Sequence, residues 1–383
     1  MYRILVGVVF VFLAVVGTYV YRQNEVKPEA RNSTPDPVEK ILKNMSIEEK
    51  IAQMFMIGIF QPKWEEIAKK AILEKRIGGV LITGSNVKES PDIKSAITGL
   101  QSQVMRVNQP KLFISVDQEG GTVSRLVGDN YIRTAQSEIK NYDEAYQVAF
   151  KRGQELVSLG ININFSPVLE YITDQKSFLY PRVFRGTKDL VIDLGIGMVR
   201  GYGDGGIIST VKHFPGHIDD SVDSHKKLPV VYVEDKDFDE YIRTFKEVIM
   251  KENPPMIMSA HVLIPSIDSN YPATLSNKVI GEILRGEFGY KGVVVTDDLE
   301  MGAIKSGFGL EEIVLRAVEA GNDILLFTST IERQDQAYNL LLEAIRDSRV
   351  SEKRIDESVR RILRLKGEFT LLSSYNPLIL AII

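Results

Sequence analysis

Short hydrophobic runs recur along this chain from residue 54 onward, and they are near-continuous rather than alternating with polar residues. Runs of β-branched and large apolar residues of this kind are typical of strands that are buried on both faces of a parallel sheet. Eight such runs predict eight strands, within residues 54–60, 78–84, 112–118, 163–170, 206–214, 256–262, 292–299 and 323–328.

Stretches with helical periodicity lie between the predicted strands, for example Tyr142–Leu159 and Leu310–Ala320. Alternation of strand and helix indicates βαβ units, and eight of them fit an α/β protein with a single (β/α)8 TIM barrel, here over residues 38–369. An open doubly wound sheet is the alternative. The glycine-rich phosphate motifs of its nucleotide-binding forms follow none of the predicted strands, which counts against those forms.

The N-terminal segment has a different composition. The 18 residues from Ile4 to Tyr21 carry no charge, a length near the minimum for a membrane span and long for the apolar part of a signal peptide. Since no clear cleavage site follows, residues 1–22 predict a hydrophobic helix that acts as a signal anchor, with a cleaved signal peptide as the alternative. Residues 23–37 predict a polar, proline-containing linker, and residues 370–383 predict a tail that packs on the barrel.

Composition narrows the classes of function. A net charge of −4 and a pI near 5.8 argue against a nucleic-acid-binding protein, because such domains are usually strongly basic. The chain has no cysteine, which excludes disulfides, thiolate metal sites and cysteine nucleophiles.

Ionisable residues follow several of the predicted strands. In a TIM barrel the active site lies at the carboxyl ends of the strands, so these residues predict an active site there. Asp117 ends the third strand with Arg125 close behind, and Lys212 and His213 end the fifth. His217, Asp223 and His225 lie in the loop after the fifth strand, His261 ends the sixth strand and Asp297 ends the seventh.

Two chemistries suit this set. His213, His217 and His225 with a carboxylate would make a metal site, but Pro215 and Gly216 interrupt the helical spacing that an HxxxH site needs. We therefore predict no metal and no cofactor. The other chemistry pairs a carboxylate nucleophile with an acid/base group, as in retaining glycosidases.

Four longer motifs surround these residues: DQEGG and an arginine at 117–125, KHFPGH and DSH at 212–225, MSAHV and PATLS at 258–276, and VTDDLEM at 295–301. With them, residues 45–366 resemble glycoside hydrolase family 3, specifically its single-domain β-N-acetylhexosaminidases. The resemblance implies that Asp297 is the nucleophile, His225 the general acid/base and Asp223 its orienting partner. It also implies a sugar pocket formed by Asp117, Arg125, Arg182, Lys212 and His213, with His217 and His261 as secondary candidates.

Ordinary acidities suit the implied catalytic roles. An aspartate with a pKa of about 3.9 is ionised at neutral pH, and a histidine with a pKa of about 6.5 can both donate and accept a proton. The sequence departs from the family pattern at Ile218 and Asp220, where glycine and threonine are usual, and at Glu170, where aspartate is usual. These departures bear on fine specificity more than on activity, because none of them is an implied catalytic residue.

The expected function is retaining hydrolysis of terminal β-linked N-acetylglucosamine from peptidoglycan fragments. The alternatives are a phosphorylase for the same glycosides and a membrane-tethered sugar-binding protein without activity. The expected partners are a carbohydrate substrate and, through residues 4–21, a membrane, with no nucleic acid and a monomeric protein. The expected location is the outer side of the cell membrane, or outside the cell if residues 1–22 are removed.

Overall fold

Eight parallel strands form the centre of the protein in a computed structural model that describes residues 36–219, 222–328 and 330–372. The strands are β1 Phe55–Gly58, β2 Gly79–Ile82, β3 Phe113–Val116, β6 Ile163–Asn164, β7 Ile208–Phe214, β8 Met256–Ser259, β9 Val293–Thr296 and β10 Leu325–Phe327. Their hydrogen-bonded order is β10-β1-β2-β3-β6-β7-β8-β9. A parallel bridge between Val295 and Ile324 joins β9 to β10 and closes the barrel. The predicted (β/α)8 barrel is confirmed, and the open-sheet alternative is wrong.

Helices surround the barrel, and a small hairpin of β4 Gln118–Gly120 and β5 Val123–Ser124 follows β3. A helix with π-type turns covers Lys278–Glu287. The α-helices are α1 Pro37–Asn44, α2 Ile47–Gln53, α3 Trp64–Lys75, α4 Gly84–Glu89, α5 Ile93–Arg106, α6 Tyr142–Ser158, α7 Lys188–Asp204, α8 Phe238–Tyr241, α9 Arg243–Glu252, α10 Gly302–Lys305, α11 Leu310–Ala320, α12 Ile331–Arg346 and α13 Glu352–Glu368.

Local sequence signals explain where several elements begin and end. Helix α2 begins at a capping box, in which the Ser46 hydroxyl accepts from the Glu49 amide and the Glu49 carboxylate accepts from the Ser46 amide. The fourth strand is much shorter than its predicted apolar run: regular pairing covers only Ile163–Asn164, and the rest of the run includes Pro167, which has no amide hydrogen to donate. Pairing with β7 resumes at the bridge between Val168 and Lys212.

Three of the sequence-based predictions concern residues that lie outside the described ranges. They are the hydrophobic segment 1–22 with most of its linker, the tail beyond residue 372, and the departure at Asp220. At the described start of the tail, the carbonyl oxygen of Leu371 accepts a hydrogen bond from the amide of Lys111. Within the described residues, no helix combines the length and apolar character needed to cross a membrane.

Helix α13 places a lysine in the core at the amino ends of the strands. Lys366 is buried, and its Nζ donates to Gln53 Oε1 at 2.7 Å and to the Gly78 carbonyl at 3.1 Å. It also lies 4.8 Å from the centre of the Phe113 ring. Burial lowers the pKa of Lys366 to about 7.

Lys366→Met is therefore expected to change how stability depends on pH. The pKa in the unfolded chain is about 10.4, so between pH ~7 and ~10.4 the unfolded state binds more protons than the folded state. The free energy of unfolding of the wild type should then rise with pH across this window, by about 2 kcal/mol between pH 7 and 9 relative to Lys366→Met. Urea unfolding at the two pH values measures this. The exposed Lys353 of the same helix supplies the control, Lys353→Met, and a pH-independent difference for Lys366→Met would contradict the expectation.

Candidate active site

A cavity of about 350 Å³ opens at the carboxyl ends of the barrel strands, a volume within the range of small-ligand sites. It is lined by side chains from loops that are far apart in the sequence. Eight of the predicted site residues line it: Asp117, Arg125, Arg182, Lys212, His213, His217, His225 and Asp297. Asp223 reaches the cavity through its contact with His225, whereas His261 does not line it.

Acidic and basic groups alternate on one wall of this cavity. Lys212 Nζ donates to Asp117 Oδ1 at 2.8 Å and to Glu119 Oε1 at 2.6 Å. Arg182 binds Glu119 with two parallel hydrogen bonds of 2.8 and 2.9 Å, and Arg125 reaches Asp117 at 3.3 Å. Such a network holds hydrogen-bonding groups in fixed positions around a bound polar molecule.

The charges in this network support one another. Burial alone would raise the pKa of Asp117, but the charges of Lys212 and Arg125 outweigh it and hold that pKa well below its ordinary value. Burial alone would lower the pKa of Lys212, but Asp117 and Glu119 keep it above its ordinary value. The wall therefore presents ionised carboxylates and ammonium or guanidinium groups together.

Asp297 and Asp298 follow β9 directly and have different surroundings. Burial would raise the pKa of Asp297, but electrostatic attraction to the nearby His213 and His261 rings and the hydrogen bond from the Asp298 amide outweigh it, so its pKa is lowered. The pKa of Asp298 is raised to about 6, chiefly by burial. Asp298 accepts hydrogen bonds from the hydroxyl and the amide of Thr328 and from the amide of Glu300. Asp297 therefore loses its proton at a lower pH than Asp298 does, and Asp298 links the loop after β9 to the residue that follows β10.

His225 and Asp223 form a pair on the loop after β7. Nδ1 of His225 lies 2.8 Å from Asp223 Oδ1, and the same oxygen accepts from the His225 amide at 3.0 Å. Burial would raise the pKa of Asp223, but the hydrogen bonds from His225 lower it. The His225 side chain is 66% exposed, so the ring stands at the cavity mouth with Nε2 directed away from the carboxylate.

The loop that carries this pair rests on the loop after β9. The Gly302 amide donates to the His225 carbonyl at 3.2 Å, and the Ala303 amide donates to the Ser224 carbonyl at 3.1 Å. A Cβ atom on Gly302 would lie only 2.6 Å from the His225 carbonyl oxygen and 2.8 Å from that of Lys226. The absence of a side chain at Gly302 therefore sets how closely His225 approaches the cavity.

Gly302→Ala is expected to lower turnover by about tenfold to a hundredfold, because the added methyl group pushes the His225 loop outward and a misplacement near 1 Å is costly in catalysis. Steady-state kinetics on a chromogenic β-N-acetylhexosaminide, the substrate class that the sequence resemblance implies, would measure the loss. Gly307 is the matched control, since a Cβ atom there meets no atom within 4 Å. Equal activities of Gly302→Ala and Gly307→Ala would contradict this role of the close contact.

Glu170 joins two of the histidines behind the cavity wall. Its Oε1 lies 2.8 Å from His213 Nδ1 and 3.1 Å from His217 Nδ1. Among the described residues, these three form the one cluster with the composition and spacing of a metal site. Hydrogen bonds account for both Nδ1 contacts. His225, which the metal alternative included, lies outside this cluster.

His261 has a structural environment. Its Nδ1 lies 2.9 Å from the Thr274 hydroxyl and its Nε2 lies 2.9 Å from the Asp298 carbonyl oxygen. Both ring nitrogens thus have protein partners, and the ring braces the loop that carries Asp297. His261 is not among the residues that line the cavity, and its role as a secondary pocket candidate stays a prediction.

Two buried carboxylates in this region were missed as site residues from the sequence. Glu119 lies within the DQEGG motif, and this position is the sequence feature that could have identified it as a site residue. The sequence distinguishes Glu170 only as a departure from the family pattern. Their partners, Arg182 and His213, are 63 and 43 residues away along the chain, so no local pattern connects them.

Comparisons with known proteins place the chain in a family. Residues 46–365 match the glycosyl hydrolase family 3 N-terminal domain. A β-hexosaminidase A of Pseudoalteromonas piscicida is 33% identical over 76% of this chain and 53% of its own length. A secreted glycosyl hydrolase of Arthroderma benhamiae is 31% identical over 79% of this chain and 88% of its own length. A family 3 β-N-acetylglucosaminidase structure from Paenibacillus has a TM-score of 0.79 at 39% identity, over 85% of this chain and 63% of that one.

The chain belongs to the glycosyl hydrolase family 3 N-terminal domain family, so the predicted family and its enzyme class, a glycosidase, are confirmed at the level of the family. The chain spans 53% of the Pseudoalteromonas relative and 63% of the Paenibacillus structure.

Proposed function

We propose that this protein is a retaining β-N-acetylhexosaminidase that removes terminal β-linked N-acetylglucosamine. The observation that carries the proposal is the shared cavity, which holds an ionised Asp297, the Asp223–His225 pair and the cation-bound Asp117. The two relatives described above as a β-hexosaminidase and a β-N-acetylglucosaminidase support the choice of substrate.

In the proposed first step, an oxygen of Asp297 attacks the anomeric carbon while the bond to the leaving oxygen breaks. Nε2 of His225 donates its proton to that oxygen. Asp223 holds Nδ1–H of the ring and stabilises the imidazolium form before transfer, as a carboxylate does in hydrolytic triads.

In the second step, water attacks the anomeric carbon of the glycosyl-enzyme, and Nε2 of His225 accepts a proton from it. The bond to Asp297 breaks and the carboxylate is regenerated. Two displacements at one carbon retain its configuration.

The sugar itself is proposed to bind against the wall of alternating charges. Asp117 accepts hydrogen bonds from ring hydroxyl groups, while Lys212 and Arg182 donate to sugar oxygens. Hydrogen bonds within the protein already hold each of these side chains in place before substrate arrives, so less side-chain conformational entropy is lost on binding.

We also propose a domain arrangement and a cellular location for the enzyme. Residues 38–369 form the catalytic unit, residues 23–37 the linker and residues 1–22 the anchor or signal, so that the catalytic unit lies outside the cell membrane. The secreted Arthroderma relative is consistent with that location. The natural substrates proposed are peptidoglycan fragments, and the protein is proposed to act as a monomer.

An aryl N-acetyl-β-glucosaminide tests this function. The wild type is expected to release the aryl alcohol, and proton NMR of the first product should reveal the β anomer. Initial formation of the α anomer would rule out retention, and sugar 1-phosphate as the main product in phosphate buffer would indicate a phosphorylase. Saturable sugar binding without aryl release would favour the binding-protein alternative. Release of N-acetylglucosamine from isolated muropeptides tests the substrate class.

A further inference from the structure

Glu170 makes three hydrogen bonds through a single oxygen. The side chain is buried, and its Oε1 accepts from the His213 amide at 3.1 Å in addition to the two imidazole Nδ1 atoms. An ionised carboxylate accepts but cannot donate hydrogen bonds. The pKa of Glu170 is held low because attraction to His213 and the hydrogen bonds of both rings outweigh its burial. Both rings therefore carry their hydrogen on Nδ1.

A second contact gives the same assignment for His213. Its Nε2 lies 3.4 Å from Arg182 Nη2. A guanidinium group has no acceptor, so Nε2 of His213 must offer its lone pair in this direction. The contact is long for a hydrogen bond, and it leaves that lone pair available to a stronger donor.

The position of His213 makes this lone pair relevant to the cavity. His213 is the next-to-last residue of β7, beside Lys212, and lines the cavity, whereas Glu170 lies behind it and does not. His217 packs edge-on against His213 and gives Glu170 a second ring contact, which restrains the carboxylate from the other side.

We propose that Glu170 is a positioning residue, which fixes His213 in the Nδ1–H tautomer so that its Nε2 accepts a hydrogen bond from a hydroxyl group of the bound sugar. The identity of the ligand rests on the function proposed above. The tautomer and its cause rest on the contacts of Glu170 and Arg182 alone. Histidine tautomers in metal and catalytic sites are commonly set by a carboxylate on the second ring nitrogen.

The tautomer can be measured directly, because the chain contains only four histidines. Proton–nitrogen NMR of protein labelled on the histidine rings, with each ring assigned by its absence in a single His→Gln variant, should show hydrogen on Nδ1 and none on Nε2 of His213. Hydrogen on Nε2 of His213 in the wild type would overturn the proposal, and the tautomer is read from the wild type itself, with the His→Gln variants used only to assign the signals.

Glu170→Met removes the acceptor while keeping an unbranched side chain of similar length. The His213 ring should then exchange between tautomers, and the affinity for N-acetylglucosamine, measured by calorimetry, should fall by about tenfold for the loss of one oriented hydrogen bond. Glu170→Asp keeps a carboxylate and should recover part of the Nδ1–H tautomer of His213 and part of the affinity for N-acetylglucosamine. Unchanged affinity in Glu170→Met with an altered tautomer would overturn the role in sugar binding.

Asp268 provides the control for removal of a buried carboxylate at the same end of the barrel. It accepts from the Ser276 hydroxyl at 2.7 Å and does not line the cavity. Asp268→Asn should leave the His213 signals and the affinity unchanged, and a loss as large as that of Glu170→Met would overturn a specific role for Glu170. Failure of the wild type to bind or cleave any hexosaminide would instead refute the proposed function, while the wild-type tautomer would still be measured.

Discussion

Asp297→Asn is expected to reduce turnover of an aryl N-acetyl-β-glucosaminide by at least about 10⁴-fold, because the amide cannot form the glycosyl-enzyme intermediate. The substitution preserves shape and can still accept from the Asp298 amide, which contacts Asp297 Oδ1 at 2.8 Å. Thermal unfolding should therefore change little. Steady-state kinetics measures the loss, and a second, independently prepared batch of the variant checks the residual activity.

The adjacent Asp298 is the matched control for Asp297. Its oxygens accept from Thr328 and Glu300, and its pKa of about 6 marks a carboxylate that gives up its proton less readily. Asp298→Asn should lower stability more than Asp297→Asn and retain far more activity. If the order of the two activities were reversed, the nucleophile would be assigned wrongly.

His225→Ala is expected to produce a loss that depends on the leaving group. General acid–base catalysis contributes about 10²–10⁴-fold, and substrates with poor leaving groups, such as a second sugar, need the proton most. With a dinitrophenyl leaving group the first step should remain fast. The second step would then limit turnover, since His225 also accepts the proton of water, and a burst of phenol should precede a slow steady state.

The neighbouring Lys226 gives a control within the same loop. Its side chain is 83% exposed and lies 3.8 Å from Asp223. Lys226→Ala should leave both phases of the reaction near the wild-type rates. A loss for His225→Ala that is equal for good and poor leaving groups would contradict a role in proton transfer and point to a role in binding.

The barrel was predictable because its signal is carried by each strand separately. A strand that is buried on both faces must be apolar at nearly every position, so runs such as those of β2, β3 and β9 are visible without knowledge of their neighbours. The ionisable residues that end the strands are likewise visible in the sequence without knowledge of the neighbouring strands. The fourth strand was less predictable, since its run continues through Pro167 while its regular pairing covers only Ile163–Asn164.

The sequence by itself determined that eight strands alternate with helices and that Asp117, Lys212, His213 and Asp297 stand where strands end. Only the tertiary structure decided which groups pair. The bonds from Arg182 to Glu119 and from His213 to Glu170, like the approach of the His225 loop to Gly302, depend on the register of neighbouring strands and on burial. Hydrophobic periodicity records which face of an element is buried, but it carries no information about how far one strand is shifted along the next.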